Sequence, residues 1–541
     1  MSMSRTLARA TALLSLSSAP ALAQDAPPAT PPRLIVMVSA DQFSTDIFQE
    51  HRPYYRAGLQ RLSNGAVFPN GFQSHAATET CPGHATLMTG SRPARTGIIA
   101  NNWFDFKGPR PGSVYCAEDE RRGTARDYVP SDVHLRVPTL GERMKARDPR
   151  VRTVSVAGKD RAAIMMGGHA MDQIWFWRDG TGFVTTTTPT APKSVTRINA
   201  AMRSEIAAPG AAFDLPDWCR PVARPVTVGK VQMGAGRFER SAGDEGRWKA
   251  SPAFDGAVTK LAVALIDEMK LGRGPSTDVL TVSLSATDYV GHRYGTEGSE
   301  MCIQVAAVDR AVGELMSALD ATGVDYVIGF SADHGGNDLP ERERERGVPA
   351  AARADVALAP ETLGQTLAPA LGWNGGQLLY GSMNGDVWVT PEMTDPAMRS
   401  RAIDAAAAAY RQHPQVAAVL TAAEVRDAPQ PTGSPDSWTL LERQRAAYDA
   451  ERSGDFVVFL KPGITPSQGG ATHGSPWDYD RRVPMLFWRK GMTRFEQPLA
   501  VETVDIMPSF AALVDLPLKP GEVDGRCLDL DGGPGDSCAG K

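Results

Sequence analysis

The sequence predicts an α/β fold: a central, mostly parallel sheet flanked by helices, with inserted segments forming a cap around a site at one sheet edge. Three observations predict it. Short apolar runs of strand length recur along the chain, too continuous for a sheet with one wet face. Stretches of helical period separate them. Four of the runs end on or just before chemistry-bearing residues: Asp41, Lys159, Asp288 and Asp333. Open α/β sheets bind ligands beyond the carboxyl ends of their strands, so this coincidence marks a site as well as a fold.

Taken in order, the chain of 541 residues opens on Arg5 and Arg9, then "ATALLSLSSAP", then "ALA" ending at Ala23 before Gln24. A positive start, a short apolar stretch and a small-x-small step read as a signal peptide over 1–23, cleaved after Ala23 for export to the periplasm or medium. The apolar run is too short to span a bilayer, and no later stretch approaches that length. Residues 24–32, "QDAPPATPP", read as a linker. The catalytic-type domain follows over 33–520. Its strands are read in "RLIVMVSADQ", "VRTVSVAGKD", "DVLTVSLSATD", "DYVIGFSADHGG" and "VPMLFW", the last of these after His473. Its clearest helices are "FDGAVTKLAVALIDEMK" from Phe254 and "QVAAVDRAVGELMSALDATG" from Gln304. The irregular stretches at about 102–250 and 336–453 read as insertions that wall the site. Within the second, "PERERERG" reads as a solvated loop or helix face. "WFWRDG" from Trp175 reads as core packing rather than an aromatic wall. Residues 521–541 form a Gly-rich tail.

Composition narrows the function. With 42% hydrophobic and 22% charged residues the chain is ordinary globular material. A net charge of -5 supplies no basic field for nucleic acid. The oligomeric state is left open. Of six cysteines, Cys527 and Cys538 make the best pair, Cys116 with Cys219 a second, and Cys81 and Cys302 are expected free. There is no CxxC, which argues against a thiolate zinc site.

Carboxylate and imidazole carry the metal reading. "TDYVGH" sets Asp288 and His292 one helical turn apart, "ADHGG" sets Asp333 beside His334, and "GGATHGSPW" presents His473 in a Gly-rich loop. With Asp41 these give three aspartates and three histidines, enough for two ions with three protein ligands each. Such donors without thiolate suit zinc ahead of manganese or iron, and three protein ligands leave room for substrate. Each group alone has an ordinary alternative: a helix cap at Asp41, a surface pair at Asp288 and His292, a capped turn at Asp333. Taken jointly, the ordinary readings need several of only nine histidines to fall by chance at strand ends beside aspartates, which favours the metal. His84 reads as structural and His75 as a support for the loop that follows it; His51, His134, His169 and His413 show no pattern.

The stretch "TETCPGHATLMTG" places Thr80 before Pro82 at a helix start. A hydroxyl followed by proline is an ordinary N-cap arrangement. A helix N-terminus also favours anions, and a threonine hydroxyl becomes a competent nucleophile beside a metal.

The set "TETCPGH", "GIIANNWFD", "AGKDRAA", "TDYVGHRYG", "SADHGG" and "THGSPWDYDRRVP" resembles, in order, the alkaline phosphatase superfamily. Within it the resemblance is to the threonine-nucleophile, two-zinc bacterial alkaline phosphatases of the phosphate-irrepressible (PafA/PhoK-like) type, and it runs from about Arg33 to Leu516. The resemblance implies that Thr80 is the nucleophile that becomes phosphorylated and that Asn101 hydrogen-bonds a phosphate oxygen. It implies that Lys159 and Arg161 grip the phosphoryl group. It assigns Asp288, His292 and His473 to one Zn2+, and Asp41, Asp333 and His334 to a second that also contacts the Thr80 oxygen. The activity implied is hydrolysis of small-molecule phosphate monoesters through phosphothreonine by a secreted enzyme. The nearest rival is a phosphodiesterase or nucleotide pyrophosphatase of the same superfamily, which shares the threonine and ligands but lacks the Lys–Arg pair. A secreted, non-catalytic phosphate- or metal-binding protein is the other. The sulfatase pattern Cys-x-Pro-x-Arg fails, because Pro82 follows Cys81 directly, and phosphoglycerate mutases of this superfamily place serine at the nucleophile position.

Overall fold

A computed structural model describes residues 30–186, 191–234 and 236–539. The expected signal peptide lies outside the described residues, as does most of the linker. The central sheet has ten strands: β1 Leu34–Ala40, β2 Ala66–Phe72, β3 Thr153–Ala157, β4 Gln173–Arg178, β5 Gly182–Val184, β6 Asp278–Leu284, β7 Tyr326–Ser331, β8 Arg482–Arg489, β9 Phe495–Glu496 and β10 Val501–Glu502. Their order is β9-β2-β8-β7-β1-β6-β3-β4-β5, with β10 also paired to β2. The block β7-β1-β6-β3-β4 is wholly parallel.

Every residue of β1 and of β6 is buried, as a strand covered on both faces requires. The pleat divides them between two cores. Leu34, Val36 and Val38 join the helices Pro252–Glu268 and Ser299–Thr322 through Leu261 and Leu315. Ile35 and Met37 face the opposite core with Leu87, Met88 and Phe510.

Two strands run against the rest of the sheet: β5, which pairs antiparallel with β4, and β8. β8, read from "VPMLFW", runs antiparallel to β7 and β2. Its entry, not its exit, therefore lies at the edge where β1, β6 and β7 end, and this delivers the His473 loop to the same place.

The stretch 102–250 holds three small hairpins, Asn102–Asp105 with Gly112–Tyr115, Glu118–Gly123 with Tyr128–Pro130 and Val226–Val228 with Val231–Met233, but it also contains β3, β4 and β5. The second stretch supplies most of a separate four-stranded sheet, in the order Leu379–Gly381, Gly385–Val389, Phe456–Leu460, Val416–Thr421. That sheet packs its own core around Val387, Tyr410 and Val458. "PERERERG" forms the short helix Pro340–Glu345, yet its Arg342 is buried and paired with Asp338 at 2.5 Å, so this run is not fully solvated. Trp175 and Trp177 are buried in the core, as expected of packing residues.

The cysteine pairing corrects the expectation at two of three places. Cys527 pairs with Cys538, as expected, but Cys81 pairs with Cys116 and Cys219 with Cys302. No free cysteine remains among the described residues. The reason is tertiary. The Cys116 amide donates to Asn101 O at 2.9 Å, which closes the foot of the first hairpin, and the Cys81 amide donates to Asn101 Oδ1, which sets that foot against the helix that carries Cys81. Cys219 sits in the turn Asp217–Val222, packed on the helix that carries Cys302. No described helix is long and apolar enough to cross a membrane.

Candidate active site

The site lies where β1, β3, β6 and β7 end. Thr80 opens the helix Thr80–Thr89, which is buried throughout. Glu79, not Thr80, occupies the cap position, which corrects the sequence reading. The capping work is done from elsewhere in the chain: Asn101 Oδ1 accepts from the Cys81 amide at 2.8 Å, and Glu79 Oε2 accepts from the Asn101 amide at 2.5 Å. The glycine of "CPGH" has a steric cause. A Cβ on Gly83 would stand 2.0 Å from Asp333 O, so the helix start could not otherwise lie against the end of β7.

Lys159 stands at the N-cap position of the helix Asp160–Gly167 without a capping bond from its side chain, and Arg161 lies in the first turn. Lys159 Nζ reaches 2.6 Å from Asp41 Oδ2, 2.6 Å from Asp288 Oδ2 and 3.5 Å from Thr80 Oγ1. Burial works against its charge, but Asp288 and Asp41 outweigh burial and hold the ammonium protonated well above the usual lysine range. Arg161 is half-buried beside Asp160, whose carboxylate accepts from Tyr115 Oη at 2.7 Å and Tyr128 Oη at 2.6 Å.

The three histidines share one arrangement. His292 Nδ1 lies 3.0 Å from Ala471 O, His473 Nδ1 2.8 Å from Thr78 O, and His334 Nδ1 2.8 Å from Gly335 O. A carbonyl only accepts, so each Nδ1 carries the hydrogen and each Nε2 turns its lone pair inward, the orientation of a metal-ligating imidazole. His292 Nε2 lies 3.2 Å and His473 Nε2 3.5 Å from Asp288 Oδ1. His334 Nε2 lies 3.5 Å from Asp41 Oδ1 and 3.3 Å from Asp333 Oδ2. Burial, then the neighbouring His334 and His292, pushes His473 well below its ordinary pKa and keeps it neutral.

The donor atoms of Asp288, His292 and His473 lie within 4.8 Å of one another, and so do those of Asp41, Asp288 and His334. Asp288 thus stands between the two groups. Asp333 contacts His334 but is also shared with His84, whose Nδ1 is 3.1 Å from Asp333 Oδ2. His84 further bonds Thr80 O and Ser283 Oγ, each at 2.9 Å, which is a structural role. His75 bonds Gln73 at 3.1 Å, and burial with Arg481 and Arg92 lowers it to about 3.

These residues fit metal ions. The carboxylates of Asp41 and Asp288 share a single ammonium, and Asp333 contacts the imidazoles of His84 and His334 instead. Asp41 Oδ1, Asp288 Oδ1, Asp333 Oδ2 and His334 Nε2 are buried without a hydrogen-bond partner among the described residues. Buried acceptors of that kind are costly unless a cation meets them.

Sequence reading missed Glu79, Asp160 with its two tyrosines, and Tyr289, whose ring lies 5.3 Å from Lys159 Nζ and 5.2 Å from Lys249 Nζ. The signals were adjacent: Glu79 precedes Thr80, Asp160 lies inside "GKDR", and Tyr289 follows Asp288. A hollow of about 460 Å³ opens beside Lys159 and Arg161, rimmed also by Arg178 and Lys249.

A family model described as type I phosphodiesterase / nucleotide pyrophosphatase matches residues 35–479. Alkaline phosphatase PhoK of Sphingomonas sp is 51% identical over 95% of this chain and 94% of its own length. Alkaline phosphatase PhoD of Zymomonas mobilis subsp. mobilis is 48% identical over 94% of this chain and 90% of its own. The crystal structure of wild-type alkaline phosphatase PafA superposes with a TM-score of 0.81 at 23% identity, covering 93% of this chain and 99% of that one, a likeness of fold. The chain therefore belongs to the type I phosphodiesterase / nucleotide pyrophosphatase family, within the alkaline phosphatase superfamily. Inside that family it stands with the PafA/PhoK-like alkaline phosphatases, and it is a hydrolase of the phosphatase class.

Proposed function

We propose that the chain is an exported, zinc-dependent alkaline phosphatase that hydrolyses small-molecule phosphate monoesters through a phosphothreonine at Thr80. The observation that carries this is the inward turn of three imidazole Nε2 atoms toward buried, unpartnered carboxylate oxygens beside Thr80. Asp288, His292 and His473 would hold one zinc ion, and Asp41, Asp333 and His334 the other. When bound, the two ions would supply Lewis-acid charge for the attacking and leaving oxygens of an in-line displacement.

The rest is the work of the chain's own groups. Thr80 Oγ1 attacks phosphorus as the bond to the leaving oxygen breaks. Water then displaces Thr80 from the phosphothreonine and releases inorganic phosphate. Lys159 places a buried positive charge 3.5 Å from Thr80 Oγ1. Arg161 offers a planar fork to two phosphate oxygens. Asn101, its Oδ1 fixed by the Cys81 amide, is left with its amide hydrogens to donate. A dianionic monoester uses both Lys159 and Arg161, whereas a diester carries one charge less.

The test is turnover of p-nitrophenyl phosphate with and without chelator, followed by zinc add-back, together with mass spectrometry of acid-quenched enzyme. Chelator-sensitive turnover restored by zinc, with phosphate on Thr80, is expected. Undiminished turnover after complete zinc removal, or phosphate on another residue, contradicts the proposal.

A further inference from the structure

A second cavity, of about 180 Å³, lies between the main body and the inserted four-stranded sheet. It adjoins the reaction centre at three points in the chain: Glu79 precedes Thr80, Asn102 follows Asn101, and Gly474 follows His473. Its aromatic wall is Phe104 and Trp388, with ring centroids 5.4 Å apart. Tyr380 braces Phe104 at 5.3 Å. These rings are half-buried, and Trp388 also packs against the cluster that holds Ile98, Ile99 and Trp103.

Two carboxylates share the cavity, each anchored through one oxygen. Glu79 Oε2 holds the Asn101 amide, and Asp386 Oδ1 accepts from the Gly454 amide at 2.8 Å. The other oxygen of each takes no hydrogen bond among the described residues. Glu79 Oε1 faces the zinc-ligand loop, where a Cβ on Gly474 would stand 3.7 Å away.

Asn102 lines both this cavity and the cationic hollow beside Lys159 and Arg161. The hollow sets four cations, Lys159, Arg161, Arg178 and Lys249, against the carboxylates Asp160 and Asp179, whereas the charged groups lining the second cavity are both carboxylates. The site therefore lies between a net positive side, matched to the phosphoryl group, and a negative one. Two carboxylates in a confined space repel each other, and a cation relieves that repulsion. Aromatic faces add to the attraction, most of all for quaternary ammonium.

Resting on the phosphatase reading, we infer that this cavity receives the leaving group of the substrate and selects a cationic one, so that the preferred monoesters are phosphates of amino alcohols. Such a substrate carries both charges: phosphate toward Lys159 and Arg161, ammonium toward Glu79, Asp386, Phe104 and Trp388. The test compares kcat/KM for choline phosphate with that for 3,3-dimethylbutyl phosphate, which has the same shape but no charge. p-Nitrophenyl phosphate serves as the measure of phosphatase activity itself.

The cationic ester is expected to lead by about tenfold, the effect of one desolvated cation–π contact with a neighbouring carboxylate. Asp386→Asn, which keeps the acceptor for the Gly454 amide, and Trp388→Ala should each shrink that ratio toward one. Tetramethylammonium should inhibit the wild type competitively, a readout independent of whether either variant folds. A wild-type ratio of one or less, or no competition by tetramethylammonium, overturns the inference while turnover of p-nitrophenyl phosphate leaves the phosphatase reading standing. A protein that turns over none of the three esters ends both.

Discussion

Thr80 carries the proposed chemistry in a fully buried setting, with its oxygen beside Lys159 and its helix start capped from a distance. Thr80→Ala should keep its zinc and lose on the order of 10³-fold or more in kcat, as nucleophile removal does elsewhere. Metal content and kcat measured on one preparation check this, and near-normal turnover contradicts it. Arg161→Ala should cost monoesters on the order of 10²-fold in kcat/KM and matched diesters far less, because the monoester brings the fork a second negative charge and a third non-bridging oxygen that the diester replaces with an ester group. Equal losses on both substrates would remove Arg161 from the phosphate grip and reopen the diesterase alternative. Most of these residues were legible in the sequence because they are chemically conspicuous types standing at strand ends. The cap was not. A hydroxyl before proline looks the same whether it caps or begins a helix, and here Asn101 takes the Cys81 amide that a cap side chain would have served.

At the scale of elements, strands buried on both faces announced themselves, since covering both faces demands unbroken apolar runs. Direction was not announced. The composition of β8 is the same whichever way it runs, and only its pairing with β7 and β2 shows that it enters at the site edge. The helix Leu140–Arg147 supplies a test of local electrostatics. Its Glu142 closes a capping box with Thr139 and also bonds His169 Nδ1 at 2.9 Å. That bond raises His169 to about 9, against an ordinary value of 6.5. A pKa raised on folding gives stability that is complete below about pH 6.5 and is lost as pH climbs through about 9. His169→Gln should therefore narrow its stability deficit against wild type between those two pH values in denaturant titrations. A deficit that stays constant across the window would show that the pair is not ionic. His169 is partly exposed, which keeps the expected effect modest.

Across the whole molecule, the inserted sheet and the disulfides were the least legible parts. Each depends on which surfaces meet, and loop spacing does not encode that. The Cys219–Cys302 bridge ties the first inserted stretch to a central helix across 83 residues, the longest of the three loops. Replacing both cysteines with serine should cost about 2–4 kcal/mol, more than loss of Cys527–Cys538, whose separation is 11. Thermal unfolding of the two double variants ranks them, and a larger loss from the tail bridge would contradict the loop-length account. The central claim is that groups far apart in sequence converge to hold two zinc ions beside Thr80. Anomalous diffraction at the zinc edge from crystals of the zinc-loaded protein tests it most directly. Two peaks are expected, one among Asp288, His292 and His473 and the other among Asp41, Asp333 and His334. Crystals of active, zinc-loaded protein with no anomalous peak within bonding distance of those six side chains would contradict it.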